Sequence, residues 1–219
     1  MYSEKSSMKQ SVIKLPSPHL SGKVSLEEAI SRRRSVRRYR REPLDLGQLG
    51  QLLWAAQGLT GAGPVRAAPS AGRTYPLEIF VVVGERSIVV REPKQGAQEI
   101  ESGIYHYEAD SHSLGLHRPA DLRAELAGAA LDQQFLVEAP VDIVICALTD
   151  RTSARYGERA ERYVNMEAGH VGENIHLQAV ALGLASVEVG AFDDEQVRKV
   201  LDVDNQTRPL YIMPVGTRV

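Results

Sequence analysis

Two short runs, Leu77-Glu78-Ile79-Phe80-Val81-Val82-Val83 and Val141-Asp142-Ile143-Val144-Ile145-Cys146-Ala147-Leu148, constrain this chain more than any other feature. They are rich in β-branched residues and are bounded by Pro76 and Gly84 and by Pro140 and Asp150, which predicts strands. Their apolarity is near-continuous rather than alternating, so both predict burial on two faces. Around them the pattern turns helical. Ser25-Leu26-Glu27-Glu28 has the form of a capping box and opens a helix to about Arg34. Leu46, Leu49, Leu53 and Ala56 recur at helical spacing up to Gly58, and residues 121 to 131 read as another helix. The longest helical pattern runs from about Glu158 to Leu182, and a shorter one from Asp194 to Leu201. Gly103 to Tyr107 and Ser113 to Leu116 predict a hairpin, and Leu210 to Met213 a closing strand. This order predicts an α+β sandwich: a mostly antiparallel central sheet flanked by helices.

A length of 219 residues suits one domain with a sizeable core. The first 22 residues, rich in serine and proline, would bury little apolar surface alone and are expected to form an arm lying on a partner subunit, with residues 23 to 219 as the folded domain. The balance of 26 basic and 28 acidic residues gives a net charge of -2, so no global field favours nucleic acid or an anionic membrane. Cys146 is the single cysteine, which excludes an internal disulfide and a cysteine-cluster metal site, and its apolar surroundings predict a buried, inert thiol. No run approaches the roughly 20 apolar residues of a membrane span, and the N-terminus lacks a signal-peptide core, so the expected location is the cytoplasm.

Chemistry concentrates in a few places. Residues 32 to 41 hold seven arginines in ten positions. Guanidinium forks bind phosphate bidentately, and Arg33, Ser35 and Arg37, on alternate positions of an extended helix exit, suit one phosphate; read from the run alone, a solvated cationic face is the simpler account. Ala68-Pro69-Ser70-Ala71-Gly72 places small residues before a strand, where a flat ring can approach the backbone, although an ordinary turn explains it equally. Val187 to Asp193 reads as a strand-like piece whose amides can face a ring edge, and Arg218 stands near the C-terminus. Tyr163, Glu167, His170 and Asn174 form one polar stripe on the long helix, read as structural ahead of catalytic; no ligand set at credible spacing supports a metal there.

Taken in order, these segments resemble the nitroreductase family, especially the branch of azoline dehydrogenases, which oxidise peptide thiazolines and oxazolines. The residues that carry the likeness are Ile13-Lys14-Leu15-Pro16, Ser25-Leu26-Glu27-Glu28-Ala29-Ile30, Arg33-Arg34-Ser35-Val36-Arg37, Pro69-Ser70-Ala71-Gly72, Gly103-Ile104-Tyr105, Glu167-Ala168-Gly169-His170, Ala181-Leu182-Gly183-Leu184 and Val189-Gly190-Ala191-Phe192. The resemblance implies an FMN-binding fold in which two subunits of a homodimer exchange arms and build two flavin sites between them. It implies that Arg33, Ser35, Arg37 and Arg218, assisted by Arg34, hold the phosphate and ribityl chain. Ser70, Ala71 and Gly72 would line the isoalloxazine, and Val189, Gly190 and Ala191 would present amides near its N5 and carbonyl edge. The expected reaction is hydride transfer from NAD(P)H through flavin to a small electron-poor acceptor such as a quinone or nitroaromatic. The alternative is an azoline dehydrogenase with oxygen as final acceptor. Members of that branch often carry Lys-Tyr where this chain has Arg155-Tyr156; an arginine is not a general base, which leaves Tyr156 as the expected proton donor or orienting group. From another class, the arginine run would serve a non-catalytic module binding anions or nucleic acid.

Overall fold

The computed structural model describes residues 12–61, 63–92 and 96–219. Among them, β1 (Val12–Lys14), α1 (Leu26–Arg32), β2 (Leu44–Asp45) and α2 (Leu46–Gln57) come first. They are followed by β3 (Leu77–Val83), β4 (Ile88–Glu92), β5 (Gly96–Glu99), β6 (Gly103–Glu108) and β7 (Ser113–Arg118). Then come α3 (Arg123–Ala129), α4 (Phe135–Glu138), β8 (Val141–Leu148), α5 (Asp150–Tyr156), α6 (Ala160–Ala181), β9 (Ala185–Ser186), α7 (Asp194–Leu201) and β10 (Thr207–Gly216).

The main sheet has seven strands in the order β1-β7-β6-β3-β8-β10-β9, and each neighbouring pair is antiparallel. The two apolar runs, β3 and β8, lie side by side at its centre, register Leu77 against Ala147 through Val83 against Val141. Side chains alternate across a strand. Leu77, Ile79, Val81 and Val83 therefore pack with Ile143 and Ile145 against α2 and α6, while Phe80, Val82, Val144 and Cys146 pack against α3, α4 and α7. Both faces are covered, which is why neither run alternates in polarity. A second, three-stranded sheet, β2-β4-β5, has no counterpart in the sequence reading.

Helix ends follow local chemistry. Ser25 Oγ accepts from the Glu28 amide at 3.1 Å, but the Glu28 carboxylate turns instead to Arg32 at 2.7 Å, so only half of the predicted box forms. The complete box belongs to α2, where Asp45 and Gln48 cap each other's amides. The long helical pattern predicted from about Glu158 to Leu182 forms α6 as one helix; the unpredicted α5 and a 3₁₀ turn at Gly157–Arg159 precede it, parted from each other where Gly157 takes a φ of 54°. Of residues 1 to 22, those before Val12 lie outside the described residues. Val12–Lys14 pairs with β7 of the same chain, and Leu15 is buried in its core. No helix among the described residues is long and apolar enough to cross a membrane.

Candidate active site

The arginine run leaves α1 as an extended segment and is stitched to the far edge of the main sheet. Arg33 closes the helix with its amide on Ala29 O and then adopts φ -53° and ψ 126°. Ser35 bridges Ser186 of β9 in parallel, the Val36 amide donates to Ser186 O at 3.0 Å, and Tyr39 bridges Arg218 in antiparallel. The Arg40 amide donates to Thr217 O at 2.9 Å, and the buried Tyr39 hydroxyl donates to Val36 O. Thr217 and Arg218 are thereby fastened beside the arginines. Arg32 pairs with Glu28 and Arg40 with Glu42, whereas Arg33, Arg37 and Arg218 have no carboxylate at ion-pair distance among the described residues. Arg34 folds back onto the carbonyls of Ser31 and Arg33. Unpaired guanidinium groups held on a fixed backbone fit an anion.

Beneath this segment lie His176 and Ser186, to which the sequence reading gave no part, and Glu188 of the strand-like piece. His176 of α6 is buried, and its Nδ1 is 2.6 Å from Ser186 Oγ. Burial, helped by the Arg33 cation, lowers its imidazole to about 4, so it is neutral near pH 7. Glu188 reaches the backbone of Gly172, where a Cβ would stand 2.2 Å from its Oε1. Burial pushes the Glu188 carboxyl up, Glu173 adds to this, and Arg33 opposes it. Val189 pairs with Ile212 through both amides, which leaves Gly190 and Ala191 exposed at the turn that follows.

The loop before β3 is a separate cluster. Gly72, Arg73 and Tyr75 all carry positive φ, 60°, 57° and 44°, so this short stretch stores backbone strain of the kind found at functional sites. Arg155, on α5 rather than ahead of a helix, donates to Gly72 O at 3.2 Å. A Cβ on Gly72 would stand 2.6 Å from the Tyr156 hydroxyl and 3.0 Å from Arg155 Cδ, so glycine is what lets α5 lie on the loop. The Tyr156 ring meets that of Tyr163 edge-on at 5.0 Å. Behind the loop, Ser70 Oγ accepts from the Tyr75 amide, and Glu167 is buried facing Ser70 and Gln57 with its Oε1 unpartnered. Burial raises the Glu167 carboxyl, partly offset by Ser70, Gln57 and Arg66. The predicted polar stripe thus splits: Tyr163 and Glu167 serve this loop, Asn174 donates to Ala55 O on α2, and His170 is exposed.

One chain does not bring the two clusters together. Glu167, at the loop, and His176, at the arginine segment, are nine residues apart on α6, about 13 Å along the axis and on opposite faces.

A family model for nitroreductases matches residues 30–217. The chain belongs to the nitroreductase family. A protein of Methanocaldococcus jannaschii named as a nitroreductase is 42% identical over 196 residues, covering 90% of this chain and 92% of that one. The microcin B17-processing protein McbC of Escherichia coli is 26% identical over 180 residues, 79% of this chain and 62% of its own. A crystal structure of a Ralstonia eutropha protein described as a nitroreductase superposes with a TM-score of 0.79 at 29% identity, over 95% of this chain and 90% of the other. The antiparallel sheet and its flanking helices are therefore the nitroreductase fold.

Proposed function

We propose that this nitroreductase-family chain is an FMN-dependent oxidoreductase that passes hydride from NAD(P)H to a small electron-poor acceptor of the quinone or nitroaromatic type. The observation that carries the reading is that Arg33, Arg37 and Arg218, which like Arg34, Arg38 and Arg41 have no ion pair among the described residues, stand along one strip of fixed backbone beside the Ser35 hydroxyl. A dianionic phosphate suits that strip better than a solvated face does, because among the described residues no carboxylate stands at ion-pair distance from Arg33, Arg37 or Arg218, and only Glu188 is felt by Arg33 from further off. In this reading Arg33, Arg34, Ser35, Arg37 and Arg218 hold the phosphate and ribityl chain. Ser70, Ala71 and Gly72 line the ring, and of Val189, Gly190 and Ala191 the exposed Gly190 and Ala191 present amides to its edge, while buried Val189, its amide on Ile212 O, anchors them. FMN, held by these residues, would supply two-electron chemistry; the chain's part is orientation and electrostatics. Tyr156, with its hydroxyl against Gly72, orients the acceptor or gives it a proton.

The reading also calls for a homodimer. Between the Glu167 face and the His176 face of α6 runs a stripe of exposed Met166 and Glu173 and partly exposed Gly169 and Leu177, continuous through Leu177 with an apolar groove of about 890 Å³ that includes Leu20, Leu26 and Trp54. A second copy packed antiparallel on that stripe would bring its loop 70–72 towards the first copy's arginine segment, completing two equivalent sites.

The test is binding first. Flavin fluorescence should report FMN binding to the wild type and a large loss in Arg33→Ala/Ser35→Ala; unchanged affinity in the double variant removes the clamp assignment. Anaerobic NADH or NADPH should then bleach the bound flavin. An azoline dehydrogenase with oxygen as acceptor is the second reading, favoured by the likeness to the microcin B17-processing protein and by Tyr156 at the loop. Against it, Arg155 cannot act as a base and is already spent on Gly72 O. Flavin that stays yellow with both nicotinamides but bleaches with a thiazoline peptide would select it. A protein that ignores FMN and binds nucleic acid with steep salt dependence would instead be an anion-binding module.

A further inference from the structure

Ser186 sits at a junction of three elements. Its carbonyl accepts the Val36 amide at 3.0 Å, its backbone pairs with Val215 of β10, and its hydroxyl meets His176 Nδ1 at 2.6 Å. Both side chains are almost completely enclosed, Ser186 at 2% and His176 at 3% exposure. Strand β9 is only two residues long, so pairing alone gives Ser186 little rigidity. A buried serine hydroxyl left alone there would be an unsatisfied polar group, and the two-residue strand that presents the Val36-seating carbonyl would lose its side-chain tie to α6. The imidazole supplies both the partner and the tie. It hangs from the C-terminal third of α6, the longest element among the described residues, and it is neutral, so it does not add a second cation beneath Arg33.

We propose that His176 is a positioning residue for the anion clamp: it locks the Ser186 hydroxyl, Ser186 seats Val36, and the seated backbone sets the spacing of Arg33, Ser35 and Arg37. This inference rests on the reading of that segment as the cofactor's phosphate clamp. His176 need not touch the cofactor. Its effect is transmitted through one side-chain hydrogen bond and one main-chain hydrogen bond, and it should be felt by the phosphate end alone.

That last point separates positioning from ordinary core packing. FMN and riboflavin share the ring and ribityl chain and differ in the phosphate, so dissociation constants for both, read by flavin fluorescence, isolate the clamp. The wild type should bind FMN more tightly than riboflavin. His176→Ala should weaken FMN about tenfold, the scale of one buried hydrogen bond, and leave riboflavin within twofold. His176→Asn, whose amide can stand near the Nδ1 position, should recover most of the loss. Ser186→Ala deletes the same bond with a smaller change in volume and carries the test if His176→Ala fails to fold. Equal weakening of both flavins in these variants, or unchanged FMN affinity, overturns the proposal. A wild type that binds the two flavins equally removes the clamp itself and the proposal with it, whereas a wild type that prefers FMN beside variants that do the same sinks the role of His176 alone.

Discussion

Asp142 is the least comfortable residue in the chain. It lies in β8 between Val82 and Pro214, fully buried, and neither carboxyl oxygen has a hydrogen-bond partner among the described residues. The nearby Arg123 is committed elsewhere, to Asp121 at 2.7 Å and to Ala139 O at 2.8 Å. Burial pushes the Asp142 carboxyl well above its usual range; Arg123 opposes this only in part, and Asp121 adds to it. The native state therefore keeps a proton that the unfolded chain gives up above about pH 4. Since the folded form binds more protons there, stability falls as pH rises from that point. Asp142→Val, which suits a central strand, should stabilise the protein by roughly 1–3 kcal/mol near neutral pH, a gain that shrinks towards pH 4. Thermal unfolding of both proteins across that range measures it; a variant that is less stable at pH 7 would mean that Asp142 has a partner worth keeping.

At the scale of elements, what matters is how α5 sits on the loop before β3. The contact depends on Gly72, whose φ of 60° and missing Cβ admit the Tyr156 hydroxyl and the Arg155 stem. Gly72→Ala should cost about 1–3 kcal/mol from strain alone, displace α5, and alter the near-ultraviolet circular dichroism of Tyr156 against Tyr163. An unshifted melting temperature with an unchanged tyrosine signal would show that the loop tolerates a side chain. This contact also shows where sequence reading stops. Strands β3 and β8, helix α2 and helix α7 were legible because a run of β-branched residues or a 3.6-residue repeat advertises its own partner face. Helix α5 was not: Asp150–Tyr156 is short, mostly exposed and without a capping side chain, so its stability comes from docking on loop 70–75 and α6. Strand β9 and the bridges at Ser35 and Tyr39 are similar cases, being too short to show a period.

For the whole molecule, the decisive property is that one chain holds the two halves of the proposed site on opposite faces of one helix. The stripe on α6 separates them, and Leu177 borders both the stripe and the groove. Leu177→Arg should put a charge into the proposed interface while disturbing the monomer little, since that side chain is already partly exposed. Sedimentation should give a dimer for the wild type and a monomer for the variant, and the variant should lose FMN affinity without a comparable fall in melting temperature. A monomeric wild type that binds FMN normally would end the composite-site reading.

The central strands, the main helices, the inert cysteine and the placement of arginines at the exit of α1 were determined by the sequence alone, since each depends on periodicity or composition within about twenty residues. Tertiary structure decided which of those arginines remain without carboxylates, how residues 217 and 218 are tied beside them, and that His176, which belongs to none of the sequence motifs, lies under the segment. Those outcomes depend on residues distant in the chain meeting across β9, β10 and α6, and the free energy of such meetings is set by packing and desolvation of the assembled core, quantities that no local pattern encodes.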